Sequence, residues 1–334
     1  MGTNLLVLGA IVLLLRRPQY TRRIVGGFMG QILVLTFVPT SSFFLSSENA
    51  STVALLSATA IASIATAFID SSTIALVSHY PRRVQESFQL GVGLSTLIGS
   101  FYRDATKLIF SADRLLLSSL IYFYAGALNI ALCIGAFYMV MKLEISHKYL
   151  LRKSDTGVEL TDRSPLVKNK RQSGGSDPLH FPGLAPTSLS VWPPLITEIK
   201  TYGFPSLQKS GWWSLILLTS FSISDCAGRF IVNHRFGLTP SNVWIPIMGR
   251  FVLVPIIVGT VKEWWLQSDL WSLLSVSALG VGNGYLGTLT IIFVSESVHA
   301  DEQHLIGPFT SSFLNSGLVL GSMVGLILER VVLR

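Results

Sequence analysis

The sequence predicts an all-α, polytopic membrane protein, and two observations carry that prediction. Of its 334 residues, 50% are hydrophobic and only 13% are charged, whereas a soluble domain carries roughly 25% charged residues. The apolar residues also fall into runs of about 20, the length needed to cross a hydrocarbon core about 30 Å thick. A backbone in lipid has no water to bond with, so each run must satisfy its own N–H and C=O groups as a helix.

Nine apolar segments follow along the chain, at 3–15, 24–45, 51–78, 84–110, 115–141, 212–233, 243–262, 270–294 and 304–328. The first is short and reads as the tail of a helix. The fourth carries Arg103, Asp104 and Lys107 toward its far end, and the sixth carries Asp225 and Arg229. Residues 146–190 are a polar linker rich in Ser, Gly, Pro and charge, without a helical period. Residues 178–211 are punctuated by Pro178, Pro182, Pro186, Pro193, Pro194 and Pro205, which opposes a regular membrane span. The chain thus divides into an N-terminal helical bundle at 1–145, a cytoplasmic linker and proline-rich segment at 146–211, and a C-terminal bundle at 212–334.

Basic residues set the orientation. Arg16, Arg17, Arg22 and Arg23 lie between the first and second segments, Arg82 and Arg83 between the third and fourth, and Lys142 to Arg171 supply a further cluster after the fifth. These three loops are two crossings apart, and loops rich in Lys and Arg stay in the cytoplasm. The same clustering between apolar runs accounts for the net charge of +7 without a nucleic-acid partner. Cys133 and Cys226 both sit inside apolar runs, which excludes a disulfide framework and a zinc site. No cofactor is implied. The His299–His304 stretch lacks the His-Glu-x-x-His order of a zinc site, and the serines have no His and Asp partners in a hydrolase pattern. An enzyme is therefore not expected.

The residues that bear chemistry are those that lipid disfavours. Asp225 and Arg229 cost about 2.5–3.5 kcal/mol each at a bilayer centre on insertion scales. Their i, i+4 spacing puts them on one helix face, where they can pair. They either brace the helix packing or line a polar pathway. Asp70 is a second acid in an apolar segment; it either makes an interhelical hydrogen bond or faces the same pathway. Arg103 and Lys107 either snorkel to the interface or line the outer mouth. Asn283, between Gly282 and Gly284, is expected to have space around it because the glycines loosen the helix. Gly317, Gly321 and Gly325 recur every four residues, as do Gly26 and Gly30, the spacing of close helix packing.

Three stretches resemble the equilibrative nucleoside transporter family. Tyr80-Pro81-Arg82-Arg83 through Gly91-Val92-Gly93-Leu94-Ser95 is similar to its fourth-to-fifth helix connection, and Arg103-x-x-Thr106-Lys107 resembles plant and protist members. Phe221 to Arg229 contains the Asp-x-x-Gly-Arg pattern of the eighth helix. Asn283-Gly284-Tyr285-Leu286 and the Gly317–Gly325 helix are similar to the last two helices. The resemblance implies a major-facilitator-like arrangement of eleven helices, six then five, around a central cavity, with about nine present in this sequence. It implies facilitative, or proton-linked, movement of nucleosides or nucleobases by alternating access. Asp225 and Arg229 match the substrate-contacting pair; Ser222 falls where many members have asparagine, and Asp70 where some have glutamine. The expected substrate site is Asp70, Arg103, Ser222, Asp225, Arg229 and Asn283, in a monomer surrounded by lipid, at the plasma membrane before an internal one.

The sequence departs from the family in its first helix and most of its seventh, and Val92 stands where several mammalian members have a substrate-contacting glutamine. In the family the helix of Asp225 enters from outside, so one crossing is required between about 145 and 211 where no apolar run supplies it. The expectation is a shortened form of an eleven-helix parent, with a non-transporting receptor or scaffold homologue, or an inactive truncated product, as the alternative.

Overall fold

The computed structural model describes residues 20–44, 47–110, 114–144, 146, 194–262, 264, 267–297 and 303–333. Among them every regular element is a helix. The long ones are α1 (Tyr20–Phe44), α2 (Glu48–Val77), α3 (Arg82–Ile109), α4 (Leu115–Lys142), α7 (Trp212–Ile231), α10 (Asp269–Ser297) and α11 (Gln303–Leu333). Two five-residue helices, α5 (Pro194–Glu198) and α6 (Pro205–Lys209), precede α7. Between α7 and α10 lie α8 (Trp244–Gly249), a 3-10 turn at Arg250–Val252 and α9 (Leu253–Val261).

Among the described residues seven helices are long and apolar enough to cross a membrane, with α8 through α9 counting as one. Of the nine expected spans, two are not among these seven: the segment at 3–15 lies outside the described residues, and α3, a 28-residue helix, carries Arg82, Arg83, Glu86, Arg103, Asp104 and Lys107 at its ends and is less apolar between them. The segment expected as one span at 243–262 is interrupted at Arg250 by the 3-10 turn. In the described part of the proline-rich segment, α5 and α6 are the only helices, each far short of the length of a span. Most of the expected linker lies outside the described residues.

Contacts fix the direction of each helix. Thr40 near the end of α1 bonds Tyr124 near the start of α4. At the other end Ile24, Leu76 and Tyr80 pack with Val84, Phe137 and Met141, so α1 to α4 run up and down, with Arg22, Arg23, Arg82, Arg83 and Lys142 gathered at one basic end. Along α3 and α7 the contacts run in opposite order: Gln89 with Arg229, Ser100 with Ser222, Asp104 with Thr219, Lys107 with Trp212. The two are antiparallel, and Trp212 lies at the end opposite the basic one. Along α7 and α10 the order is the same, Ser220 with Ser277 and Asp225 with Asn283, so these two are parallel. The first turn of α11 meets α2 where Gly307 faces Ser71 and Ala75.

Hydroxyls inside the helices bond back to carbonyls one turn earlier, as Thr36, Thr59, Ser63, Ser71 and Thr260 do. That removes free donors from faces that meet lipid. Gln31 donates to Ala62 O and Thr66 Oγ1 at 3.0 and 2.7 Å, a polar tie between α1 and α2. Beside it α1 approaches α2 through Gly27 and Gly30, where an added Cβ would lie 2.6 Å from Ile69 Cγ1 and 3.0 Å from Ala65 Cβ. Gly26, expected with Gly30 on this face, meets open space instead. Gly317, Gly321 and Gly325 form a buried stripe on α11.

Candidate functional site

The site is assembled where α3, α7 and α10 meet. Asp225 is 2% exposed. Its Oδ2 accepts from Arg229 Nε at 2.8 Å, and its Oδ1 accepts from Asn283 Nδ2 at 2.7 Å. Arg229 Nη1 donates to Gln89 Oε1 at 2.9 Å and approaches the Gln89 carbonyl at 3.3 Å. The i, i+4 pair read from the sequence is thus formed, and it is held from two other helices. Both carboxylate oxygens have a donor, which is what a buried ion pair needs if its attraction is to offset its desolvation. Arg229 is half-buried, and its Nη2 makes no hydrogen bond among the described residues.

Glycines allow this approach. A Cβ at Gly284 would lie 2.8 Å from the Asp225 carbonyl carbon and 3.0 Å from Arg229 N. One at Gly280 would lie 2.7 Å from Phe221 O, and one at Gly228 would meet Val281 O. On the other side Gly93 leaves room for Arg229 Cδ, 2.6 Å from where its Cβ would stand. The glycines beside Asn283 were expected to loosen its helix. Instead α10 is continuous, and the room they leave is filled: by the α7 backbone at Gly284, and by the Arg250 side chain at Gly282.

Ser222 is buried and shares a 2.8 Å hydrogen bond with Ser100 of α3 while donating to Leu218 O. Further along the same seam Thr219 donates to Asp104 Oδ2 at 2.7 Å, and Lys107 lies over the Trp212 ring. Of the six expected site residues, Asp225, Arg229, Asn283 and Ser222 are therefore brought to one junction. Arg103 is exposed, and Asp70 is half-buried on α2 beside the α11 contact; neither side chain makes a hydrogen bond or ion pair with the described residues.

A polar residue of the junction and a buried charge packed on the other face of α10 were missed. Gln89, 5% exposed, lay inside a quoted motif without being assigned a role. Arg250, also 5% exposed, sits in the 3-10 turn. A charged residue inside an apolar run was the signal available for Arg250, the same one that marked Arg229.

Residues 185–330 match the family model described as nucleoside transporter. Equilibrative nucleotide transporter 8 of Arabidopsis thaliana is 24% identical over 332 residues, covering 97% of this chain and 83% of that one. Equilibrative nucleotide transporter 1 of the same plant is 22% identical over 292 residues, 80% of this chain and 61% of that protein. Equilibrative nucleoside transporter 3 of Rattus norvegicus is 23% identical over 305 residues, 82% and 64% of the two chains. Against the last two, this chain spans less than two thirds of the relative's length.

Proposed function

We infer that this chain, which belongs to the equilibrative nucleoside transporter family, is an integral multi-pass membrane protein that carries nucleosides or nucleobases across the bilayer by facilitated diffusion. The observation that supports this most is the Asp225–Arg229 pair, buried in an apolar helix yet braced by Gln89 and Asn283 from two neighbours. Evolving two charges in lipid for packing alone is a poor bargain; intramembrane charges mark substrate pathways by default.

In this reading Arg229 is the donor to the base. Its Nη2 N–H groups face no protein acceptor among the described residues, and a planar fork suits ring nitrogens and carbonyls. Asp225 fixes that fork and accepts from ribose hydroxyls when Asn283 or Arg229 yields an oxygen lone pair. Ser222 and Ser100 supply hydroxyls one to two turns further along the seam. Alternating access would work by parting α3 from α7. Their contacts run from Gln89–Arg229 at the basic end to Lys107–Trp212 at the other, so opening either end exposes the pair to one side only. The plasma membrane is the proposed location, and the monomer the proposed unit.

The test is exchange of labelled nucleosides by purified protein in liposomes with sodium-free buffer on both sides. Saturable exchange that unlabelled nucleoside competes away is expected, and a protonophore separates simple facilitation from proton linkage. Strict sodium dependence, or movement of sugars in place of nucleosides, overturns the proposal; no exchange at all points to the non-transporting homologue.

A further inference from the structure

We propose that the junction selects 6-oxopurine nucleosides, those carrying hypoxanthine or guanine, over adenosine, and that Arg229 is the residue that discriminates. Its guanidinium is fixed at three points. Nε donates to Asp225 Oδ2 at 2.8 Å, and Nη1 donates to Gln89 Oε1 at 2.9 Å. Cδ and Nε rest on Gly93, 2.6 and 3.2 Å from where a Cβ would stand there. Two anchored nitrogens set the plane of the fork, and a fork that cannot swivel presents one fixed pattern of donors. The nitrogen left over is Nη2. It has no partner among the described residues and is not sealed from solvent. Of the ion pair, 14% of the Arg229 side chain is exposed against 3% of the Asp225 one, so the group a ligand meets first is the donor. The Nη1 contact with the Gln89 carbonyl, at 3.3 Å, is the longest of the cluster and the one a ligand at the end of the guanidinium displaces most readily.

A cationic donor fork is satisfied by two acceptors side by side. The N7 and O6 edge of hypoxanthine or guanine is such a pair, whereas adenine sets N7 beside an exocyclic amine and turns an N–H toward an N–H. Hypoxanthine and adenine are alike in size and shape, so apolar packing does not separate them and the difference falls on this one group. The 2-amino group that distinguishes guanine from hypoxanthine lies on the opposite edge and is not read here. The acceptors nearest the fork are already engaged. Both Asp225 oxygens accept, from Arg229 Nε and Asn283 Nδ2, and the residue is 2% exposed. Gln89 Oε1 is turned to Arg229, and that residue is 5% exposed. The accessible edge of the cluster is therefore a donor edge, complementary to a base that presents acceptors.

This selectivity rests on the function proposed above, and the experiment separates the two. Full-length protein in liposomes exchanges labelled inosine or labelled adenosine in the presence of unlabelled inosine, adenosine or 7-deazainosine. The same three ligands are added to the protein in detergent while thermal unfolding is followed. Inosine is expected to halve exchange of either label at a concentration at least about tenfold below that of adenosine, well within what a bidentate pair discriminates. 7-Deazainosine, which keeps the 6-carbonyl and lacks the N7 acceptor, should compete several-fold less well than inosine. Inosine should also raise the unfolding midpoint more than adenosine does at equal concentration. Adenosine competing as well as inosine, or 7-deazainosine matching it, overturns the selectivity and leaves nucleoside transport standing. If nothing is exchanged yet inosine stabilises the protein more than adenosine, the transport reading falls and the selectivity stands; if no nucleoside is exchanged or stabilises the protein, both fall. Arg229→Lys keeps the charge beside Asp225 and loses the planar fork, so the gap between inosine and adenosine should close; a gap that persists overturns the assignment to Arg229. Should that variant fail to fold, the ligand series decides alone, because it needs only the wild type.

Discussion

Gly284→Ala should dismantle the site without deleting a single polar group. A methyl at this position would stand 2.8 Å from the Asp225 carbonyl carbon and 3.0 Å from Arg229 N, while ordinary van der Waals contact begins at 3.4 Å. The obstacle is backbone on both sides, so no rotamer change relieves it. The Asp225 carbonyl oxygen stands nearer still, so restoring contact distance moves α7 from α10 by more than the 3.4 − 2.8 = 0.6 Å that the carbonyl carbon alone demands. The Asn283–Asp225 hydrogen bond, 2.7 Å long, bridges the same gap and would stretch beyond about 3.3 Å if nothing else adjusts. Overpacking of this kind costs about 1–3 kcal/mol, and weakening a hydrogen bond to a charged group forfeits part of a further 1.5–3 kcal/mol, roughly. The control is Gly135→Ala on α4, where an added Cβ meets nothing within 4 Å and the helix gains about 1 kcal/mol of propensity. Thermal unfolding in detergent should show Gly284→Ala falling and Gly135→Ala holding or rising, with nucleoside exchange lost only in the first. If Gly284→Ala melts with the control and exchanges normally, the close α7–α10 approach is not what holds the pair.

Three further outcomes are expected. Asp225→Ala and Arg229→Ala each strand one buried charge, at about 3–5 kcal/mol, so both should reach the cell surface poorly; the double variant should recover surface biotinylation but not uptake. Gln89→Leu removes the 2.9 Å acceptor of Arg229 Nη1 and leaves only the backbone carbonyl at 3.3 Å; it should raise KM for nucleosides in uptake assays while lowering stability by about 1–3 kcal/mol. Arg103→Ala, exposed and without a described partner, should shift unfolding by no more than about 0.5 kcal/mol; a change in uptake at unchanged stability would place Arg103 on the substrate's path.

The sequence disclosed what is periodic or local. Helix positions followed from apolar runs, and the Asp225–Arg229 pair followed from a spacing of four, because one helix turn fixes the angle between two side chains before any packing is known. What it did not disclose depends on docking. Gln89 is a polar residue in a helix that also carries Gln85, Glu86 and Ser95, and only contact with α7 singles it out. Gly26 and Gly30 satisfied the spacing rule, yet the face turned to α2 is the one bearing Gly27; spacing names a stripe without saying which stripe meets a neighbour. Arg250 was legible in principle, since it is a charge in an apolar run. It was passed over because it has no opposite charge one turn away.

Docking also decides orientation, and here it opposes local charge counting. The basic end of α1 to α4, with Arg22, Arg23, Arg82, Arg83 and Lys142, is cytoplasmic by the positive-inside rule. Because α3 and α7 run antiparallel, Trp212 is at the outer end and the α7–α8 loop, with His234 and Arg235, is at the inner end. Counted alone, the C-terminal helices say the reverse: Lys200, Lys209 and Lys262 fall at the end assigned to the outside, against Arg235 within. The α3–α7 seam should prevail. Reversing α7 would tear Arg229 from Gln89, Ser222 from Ser100 and Thr219 from Asp104 together, whereas a lysine in an outer loop remains solvated and costs little. Single cysteines on a background lacking Cys133 and Cys226 decide the matter. Ser210→Cys, exposed just before α7, should react with an impermeant maleimide on intact cells that display the protein. Ser241→Cys, exposed in the α7–α8 loop, should react only after permeabilisation. The opposite pattern, with the basic end of α3 still cytoplasmic, would mean that α3 and α7 cannot be antiparallel neighbours in the membrane, and the junction of Gln89, Asp225, Arg229 and Asn283 would fall with them.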